Sequence, residues 1–141
     1  MTLVVLDTDV ISEAMRGAEA SPQVIAWLKS LPATPVTTVV NRAEILAGIA
    51  LLAPGRRRTE LRAAAESAFN GLGVCLALTS VAADHYAQIV AHRRDAGRPI
   101  GGMDALIAAI ARRNGAALAT RDVSDFAELG IDLVNPWAYR R

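Results

Sequence analysis

Apolar positions along the chain fall into short unbroken runs and longer runs at helical spacing, and the two kinds alternate. Residues 3–6, LVVL, form a continuous run rich in β-branched side chains, the pattern of a central parallel strand covered on both faces. Asp7-Thr8-Asp9 ends it, a short helical segment is predicted over 10–15, and a loop containing Gly17 follows. Ser21-Pro22 supplies a cap and a first-turn proline for a helix whose apolar positions Val24, Ile25, Trp27, Leu28 and Leu31 run up to Pro32. A second strand is predicted over 36–40 and a helix over 41–52, with Ile45, Leu46, Ile49 and Leu52 along one side and Pro54-Gly55 as its break. Arg56-Arg57-Arg58 leads an alanine-rich helix to about residue 70, which Gly71 and Gly73 close. A third strand is predicted over 74–78, then a long helix capped by Thr79 or Ser80, ending near residue 96 with Gly97 as its stop.

The next stretch, MDALIAAIARRNGAALATRDVSDF, organises the rest. From Asp104 the apolar positions Leu106, Ile107, Ile110 and Ala111 recur at helical spacing until Asn114-Gly115, and residues 116–120 then read as a short buried strand. About ten residues of helix carry the chain roughly 15 Å, and about four residues of strand return it roughly 13 Å. Packed as a βα unit, Asp104 at the helix start and Asp122 just past the strand face one crevice, where open α/β sheets bind ligands. A helical turn over 125–129 and a last strand over 131–134 complete the pattern before Asn135-Pro136-Trp137. Strands alternating with helices predict an α/β fold around a mainly parallel sheet. At 141 residues, 52% of them hydrophobic, the chain suffices for one compact domain, 1–141, and not for two.

Composition removes several classes of function. The net charge of +1 announces no general affinity for nucleic acid, although of the fifteen basic residues only Lys29 is lysine. Arginine grips phosphate with a planar fork, and a compositional bias that also enriches alanine explains the same count. Cys75, the lone cysteine, excludes an intramolecular disulfide and any cysteine-rich metal site. The opening MTLVVLD lacks a basic segment and its apolar run stops at Asp7, too short for a signal peptide or a membrane span. A cytoplasmic protein without a membrane partner is expected.

The chemistry lies in the acids. Asp7 follows the first strand, Glu44 sits in the first turn of the helix after the second, and Asp104 and Asp122 form the pair above. Each has an ordinary explanation when taken alone. Asp7 and Asp122 suit turns, Glu44 suits a capping box with Asn41, and Asp104 suits a helix N-cap. Together they fall at one edge of the sheet, where carboxylates about 4 Å apart repel by roughly 1 kcal/mol per pair even in water. With no histidine or cysteine cluster nearby, an all-oxygen site for magnesium or manganese offsets that repulsion. Such a site suits phosphodiester hydrolysis. Thr8, Ser12 and Thr120 lie beside these acids as hydroxyl donors to water or phosphate, or as caps and turn residues; His85 and His92, seven apart on one helix, read as surface or packing residues.

The set LVVLDTDVISE, NRAEILAG, MDALIAAIA and ATRDVSDF resembles the PIN-domain ribonucleases, above all the VapC-like toxins of type II toxin–antitoxin pairs. The resemblance covers nearly the whole chain, and the closing NPW is similar to the ending of the FitB-like subgroup. It implies a three-layer α/β/α fold, a magnesium-dependent endonuclease for single-stranded RNA with manganese as a substitute, homodimerisation, and neutralisation by a cognate antitoxin in a larger complex. Matched residue by residue, Asp7, Glu44, Asp104 and Asp122 take the family's catalytic and metal-binding positions, Asp125 a less regular acidic one, and Thr120 the hydroxyl before the last acids. Many relatives carry asparagine where this chain has Asp9, which leaves open whether Asp9 adds a metal ligand or turns outward. Arg98, Arg112, Arg113, Arg121 and the cluster Arg56 to Arg58 are candidates for phosphate contacts, with solvated helix faces as the alternative. In the family the antitoxin's C-terminal segment lies along a groove and often sends an arginine into the acidic site. Here that groove is assigned to Trp27, Leu28, Leu46 and Ile49, with ordinary core packing as the alternative, and the dimer surface to helices 80–96 and 104–114.

Two other functions fit parts of the pattern. Asp7-Thr8-Asp9 after an apolar strand also resembles the nucleophile motif of haloacid-dehalogenase-like phosphatases, but Lys29 comes too early to supply that family's lysine and Glu44 is left without a role. A catalytically silent, dimeric PIN-like binding module is the non-enzyme alternative.

Overall fold

The computed structural model describes residues 2–141. Five strands, β1 (Leu3–Leu6), β2 (Thr34–Thr38), β3 (Cys75–Leu76), β4 (Ala117–Ala119) and β5 (Leu133–Val134), form one sheet in the order β3-β2-β1-β4-β5. Every pairing is parallel, with Val5 opposite both Val36 and Leu118, and Ala119 opposite Val134. Six helices connect them: α1 (Thr8–Ala14), α2 (Pro22–Ser30), α3 (Val39–Ala50), α4 (Arg56–Leu72), α5 (Ser80–Asp95) and α6 (Gly102–Arg113).

The two-residue alternation of β1 divides the core. Val5, with Val36 and Leu118, faces a layer built from α5 and α6, where Ile89, Ile107 and Ile110 are fully buried. Val4 and Leu6, with Ala119, face Val10, Ile11, Val24, Trp27, Ile45, Ile49 and Phe69 from the first four helices. The result is the expected α/β/α sandwich, with apolar side chains on both faces of the central strand. Helix α6 is the most enclosed of the helices, because Ala105 and every residue from 107 to 111 is buried. Fully burying a side chain such as Ile107 contributes about 1.5–3 kcal/mol.

Element boundaries shift from the sequence expectation where a side chain caps a helix early. Helix α1 starts at Thr8 rather than at residue 10, because the Asp7 carboxylate accepts from the Thr8 backbone N–H. Helix α3 starts at Val39 rather than 41, because the Thr38 hydroxyl accepts from the Asn41 N–H; the second strand accordingly lies two residues earlier than expected, at Thr34–Thr38. Helix α6 begins at Gly102, two residues before Asp104, with Gly101 at its cap. Asp104 is therefore a first-turn residue and not the N-cap. The turn expected over 125–129 is a 3-10 turn at Val123–Phe126, and the third and last strands shrink to two residues each. Gly73, Gly97 and Gly115 do close their helices, each at a positive φ that other residues rarely adopt.

Candidate active site

The carboxyl ends of β1 and β4 and the starts of α1, α3 and α6 meet at one rim of the sheet. Parallel pairing continues one step past β1, where the Asp7 N–H donates to the Ala119 carbonyl at 2.9 Å and holds Asp7 beside Thr120. Asp7 is only 8% exposed. Its Oδ2 accepts from the Thr120 hydroxyl at 2.8 Å, and its Oδ1 from the Thr8 N–H at 2.9 Å and the Asn41 amide at 3.4 Å.

From Asp7 a polar network spreads through the rim. Asn41, fully buried, also donates to the Thr8 hydroxyl at 3.1 Å, and Thr8 donates to Glu44 Oε1 at 2.7 Å. The Asn41 side-chain oxygen accepts from the Thr38 hydroxyl at 2.7 Å. On the other side the Thr120 hydroxyl accepts from the Asp122 N–H at 3.1 Å. Hydrogen bonds thus link Asp7, Glu44 and the backbone of Asp122 in one connected set, the kind of satisfied network that fixes side chains in one arrangement. Glu44 is held by Thr8 rather than by a capping box with Asn41, whose N–H is capped by the Thr38 hydroxyl.

Asp104 joins by its charge. Burial first, then Asp7, Glu44, Asp125 and Asp122, push its carboxyl up to about 6. Burial likewise raises Asp7, with Asp122 adding to the shift and the bond from Thr120 opposing it. Asp9 is raised to about 6, chiefly by burial; its Oδ2 accepts from the Arg121 N–H at 3.0 Å, while its buried Oδ1 has no hydrogen-bond partner. Asp9 therefore turns toward the rim and not into solvent.

The donor set is all oxygen, and acids that destabilise one another's charge are the environment that a hard divalent cation relieves. Among the described residues no three acidic, histidine or cysteine side chains close into a finished metal cage. The rim is an open ring of acids, anchored on Asp7.

Two residues at this rim have roles that the sequence reading does not give them. Asn41 is the hub of the network. Arg93 on α5, 4% exposed, donates to the carbonyl of Arg98 at 3.1 Å and to that of Asp125. Its signal was an arginine at an apolar-face position, four residues after Ile89 and seven after Tyr86.

The candidate arginines separate. Arg98 lies beside Asp104 and Asp125 and donates to the Ser124 carbonyl at 3.2 Å. Arg121 carries its guanidinium carbon 4.9 Å from the Trp137 ring centroid, a cation–π contact. Arg112 and Arg113 occupy the opposite end of α6, about 14 Å along the helix from Asp104 in the case of Arg113. Arg112 is engaged by α5, donating to His85 Nδ1 at 2.7 Å and to Gln88 at 2.5 Å. His85 is thus a packing residue, and His92 is exposed.

Of the groove residues, Trp27 and Ile49 are buried in the core and Leu28 and Leu46 pack against it. An apolar depression does exist, in two hollows of about 320 and 440 Å³. Leu28 lines the first with Ile11 and Leu72; Ile49 lines the second, which reaches Thr8, Ser12 and Glu44; and Met15 lines both.

This fold and this rim have a family. The model of the PIN domain matches residues 4–131. The chain belongs to the PIN-domain family. Within it the chain groups with the VapC- and FitB-type toxins: it is 36% identical to VapC ribonuclease Y4jK of Sinorhizobium fredii over 138 residues, covering 96% of this chain and 98% of the relative. It is 34% identical to toxin FitB of Neisseria gonorrhoeae, covering 96% and 99%. The crystal structure of FitAcB from Neisseria gonorrhoeae superposes with a TM-score of 0.86 at 33% identity, over 96% of this chain and 99% of that one. The family and the VapC ribonuclease relative make this chain a nuclease, and PIN-domain VapC nucleases generally depend on a divalent metal. Membership removes the support for the phosphatase reading, and Lys29 stands exposed on α2. No helix among the described residues is long and apolar enough to cross a membrane.

Proposed function

We propose that this chain is the toxin of a type II toxin–antitoxin pair, a magnesium-dependent endoribonuclease acting on single-stranded RNA in the cytoplasm. The observation that carries this reading is the hydrogen-bonded set that holds Asp7, Glu44 and the backbone of Asp122 at one rim, with Asp104 in the first turn of α6 beside it. Asp7, Glu44, Asp104 and Asp122 would hold the ion, with Asp9 and Asp125 beside them and manganese as a substitute. A bound divalent ion orients water, lowers its pKa and stabilises charge on the leaving oxygen.

The chain's own groups supply the rest. Asp7 is fixed by Thr8, Asn41 and Thr120, so its carboxylate needs no reorganisation to bind a cation. Glu44 is likewise fixed by Thr8. The rim is open, which admits a flexible strand and leaves specificity to loop shape and stacking. A cognate antitoxin segment covers the two apolar hollows, the second of which reaches Glu44, laying apolar side chains against Met15, Leu28 and Ile49. A single domain, 1–141, dimerises through α5 and α6, whose first turns expose Val81 and Met103.

The test is a substrate comparison with purified, antitoxin-free protein: one RNA as a single strand, the same RNA annealed into a duplex, and a small phosphomonoester. Cuts confined to the single strand are expected. Phosphate release from the small ester alone would restore the phosphatase, and a folded protein that cuts nothing but binds an antitoxin would be the silent module.

A further inference from the structure

Beside the acidic ring lies a second pocket whose lining carries both signs of charge. It has a volume of about 310 Å³ and is lined by Arg93, Arg98, Gly101, Asp104 and Asp125, together with Pro99 and Ile100. That size is at the lower end of the range for small-ligand sites. Asp104 belongs both to this pocket and to the ring, so the two are continuous.

Three features of its cationic part point to an anion. Arg93 is an almost wholly buried cation; no carboxylate pairs with it among the described residues, and its Nε has no hydrogen-bond partner. Its two terminal nitrogens hold the carbonyls of Arg98 and Asp125, so they fix the loop and not a charge. Arg98 is exposed and spends a single donor on the Ser124 carbonyl, leaving the rest of its fork for a ligand. The third feature is the start of α6, a twelve-residue helix with no side-chain cap, whose first glycines face open space: a Cβ on Gly101 or Gly102 would meet nothing within 4 Å. Unused N–H groups there favour negative charge. A simple anion would still meet Asp104 and Asp125, which line the same pocket. A ligand that is anionic at one end and accompanied by cations at the other satisfies both signs, as a nucleic-acid backbone entering a metal site does.

Resting on the ribonuclease reading, we infer that this pocket is a phosphate subsite, in which Arg98 and the start of α6 grip an RNA phosphodiester next to the one being cut. Arg93 is its positioning residue. It carries the Arg98 loop and the Asp125 turn on one buried guanidinium and sets the spacing between the subsite and the acids.

The experiment uses the full chain and its Arg98→Ala and Arg98→Lys variants, each checked for an unchanged melting transition. Binding of a fluorescent single-stranded RNA is measured in chelator over a series of salt concentrations, and cleavage in magnesium. Arg98→Ala is expected to bind about tenfold more weakly, with a log Kd against log salt slope smaller by about one, the signature of one lost phosphate contact. In cleavage the loss falls on KM more than on kcat, and Arg98→Lys recovers part of it. Neutral methylphosphonates placed one at a time then locate the contact: one position beside the cut weakens the wild type and has no further effect in Arg98→Ala. Unchanged affinity and slope in Arg98→Ala would overturn the subsite, as would methylphosphonate effects that are the same in both proteins. Wild-type protein that binds RNA with these properties but never cuts it would leave the subsite standing and remove the ribonuclease reading.

Discussion

Replacing Asp7 with asparagine is expected to reduce RNA cleavage by about a thousandfold, equivalent to ~4 kcal/mol of transition-state stabilisation, while the fold persists. The substitution keeps the shape of the side chain and removes one negative charge from the most enclosed acid of the ring. Asparagine still offers an oxygen to the Thr8 N–H, so the cap of α1 survives, and the pairing of Asp7 with Ala119 is made by backbone and is untouched. What changes is the anchor of the metal site, since the amide oxygen is a far weaker ligand for a hard divalent ion than a carboxylate. The check is the single-turnover rate on one RNA beside the far-ultraviolet circular dichroism of both proteins. Cleavage within tenfold of the wild type would take Asp7 out of the site.

The second large effect is on stability, and its sign follows from the raised carboxyls. The Asp104 carboxyl stands at about 6 in the folded chain against an ordinary value of 3.8, so the folded state binds more protons than the unfolded one between those limits. The contribution of Asp104 to stability without metal is therefore greatest below about pH 4, declines as pH rises toward 6, and stays reduced above it. Because Asp104 is partly open to solvent, the penalty at neutral pH is taken as about 1 kcal/mol, well below the full value of such a shift. Asp104→Asn is then expected to melt about 3 °C higher than wild type at pH 7.5 in chelator and at the same temperature at pH 4. Magnesium reverses the order by stabilising the wild type and not the variant. Melting curves of both proteins at the two pH values, with and without magnesium, check this. Equal melting temperatures at pH 7.5 in chelator would show that the acids do not burden one another.

The sequence pattern and the structure agree where the signal was local. Unbroken apolar runs give strands buried on both faces, and Asp7, directly after β1, and Asp122, three residues past β4, lie at the carboxyl ends of those strands. Boundaries were less legible, since the hydroxyl of Thr38 and the carboxylate of Asp7 start helices two residues before the apolar period does. Least legible were groups whose role depends on distant partners. Asn41 looked like a helix cap and is instead a bridge between Asp7 and Thr8, thirty-odd residues away in sequence. Arg93 sat among core positions of α5, where only the later loop supplies the carbonyls that satisfy it. Arg112, grouped by sequence with possible phosphate ligands, points its donors at α5 because His85 and Gln88 stand within reach. For Trp27 the family resemblance offers a groove and the helical spacing offers the core as the alternative; the side chain is buried in the core.

The most direct test of the central claim, that the acidic ring is one metal-dependent hydrolytic site, is the initial rate of single-stranded RNA cleavage as a function of magnesium concentration, for wild type and Asp104→Asn. A wild-type rate that is zero in chelator and saturates with magnesium, together with a variant that stays near zero throughout, is the expected result. Full cleavage in chelator, or a variant that follows the wild-type curve, would contradict it.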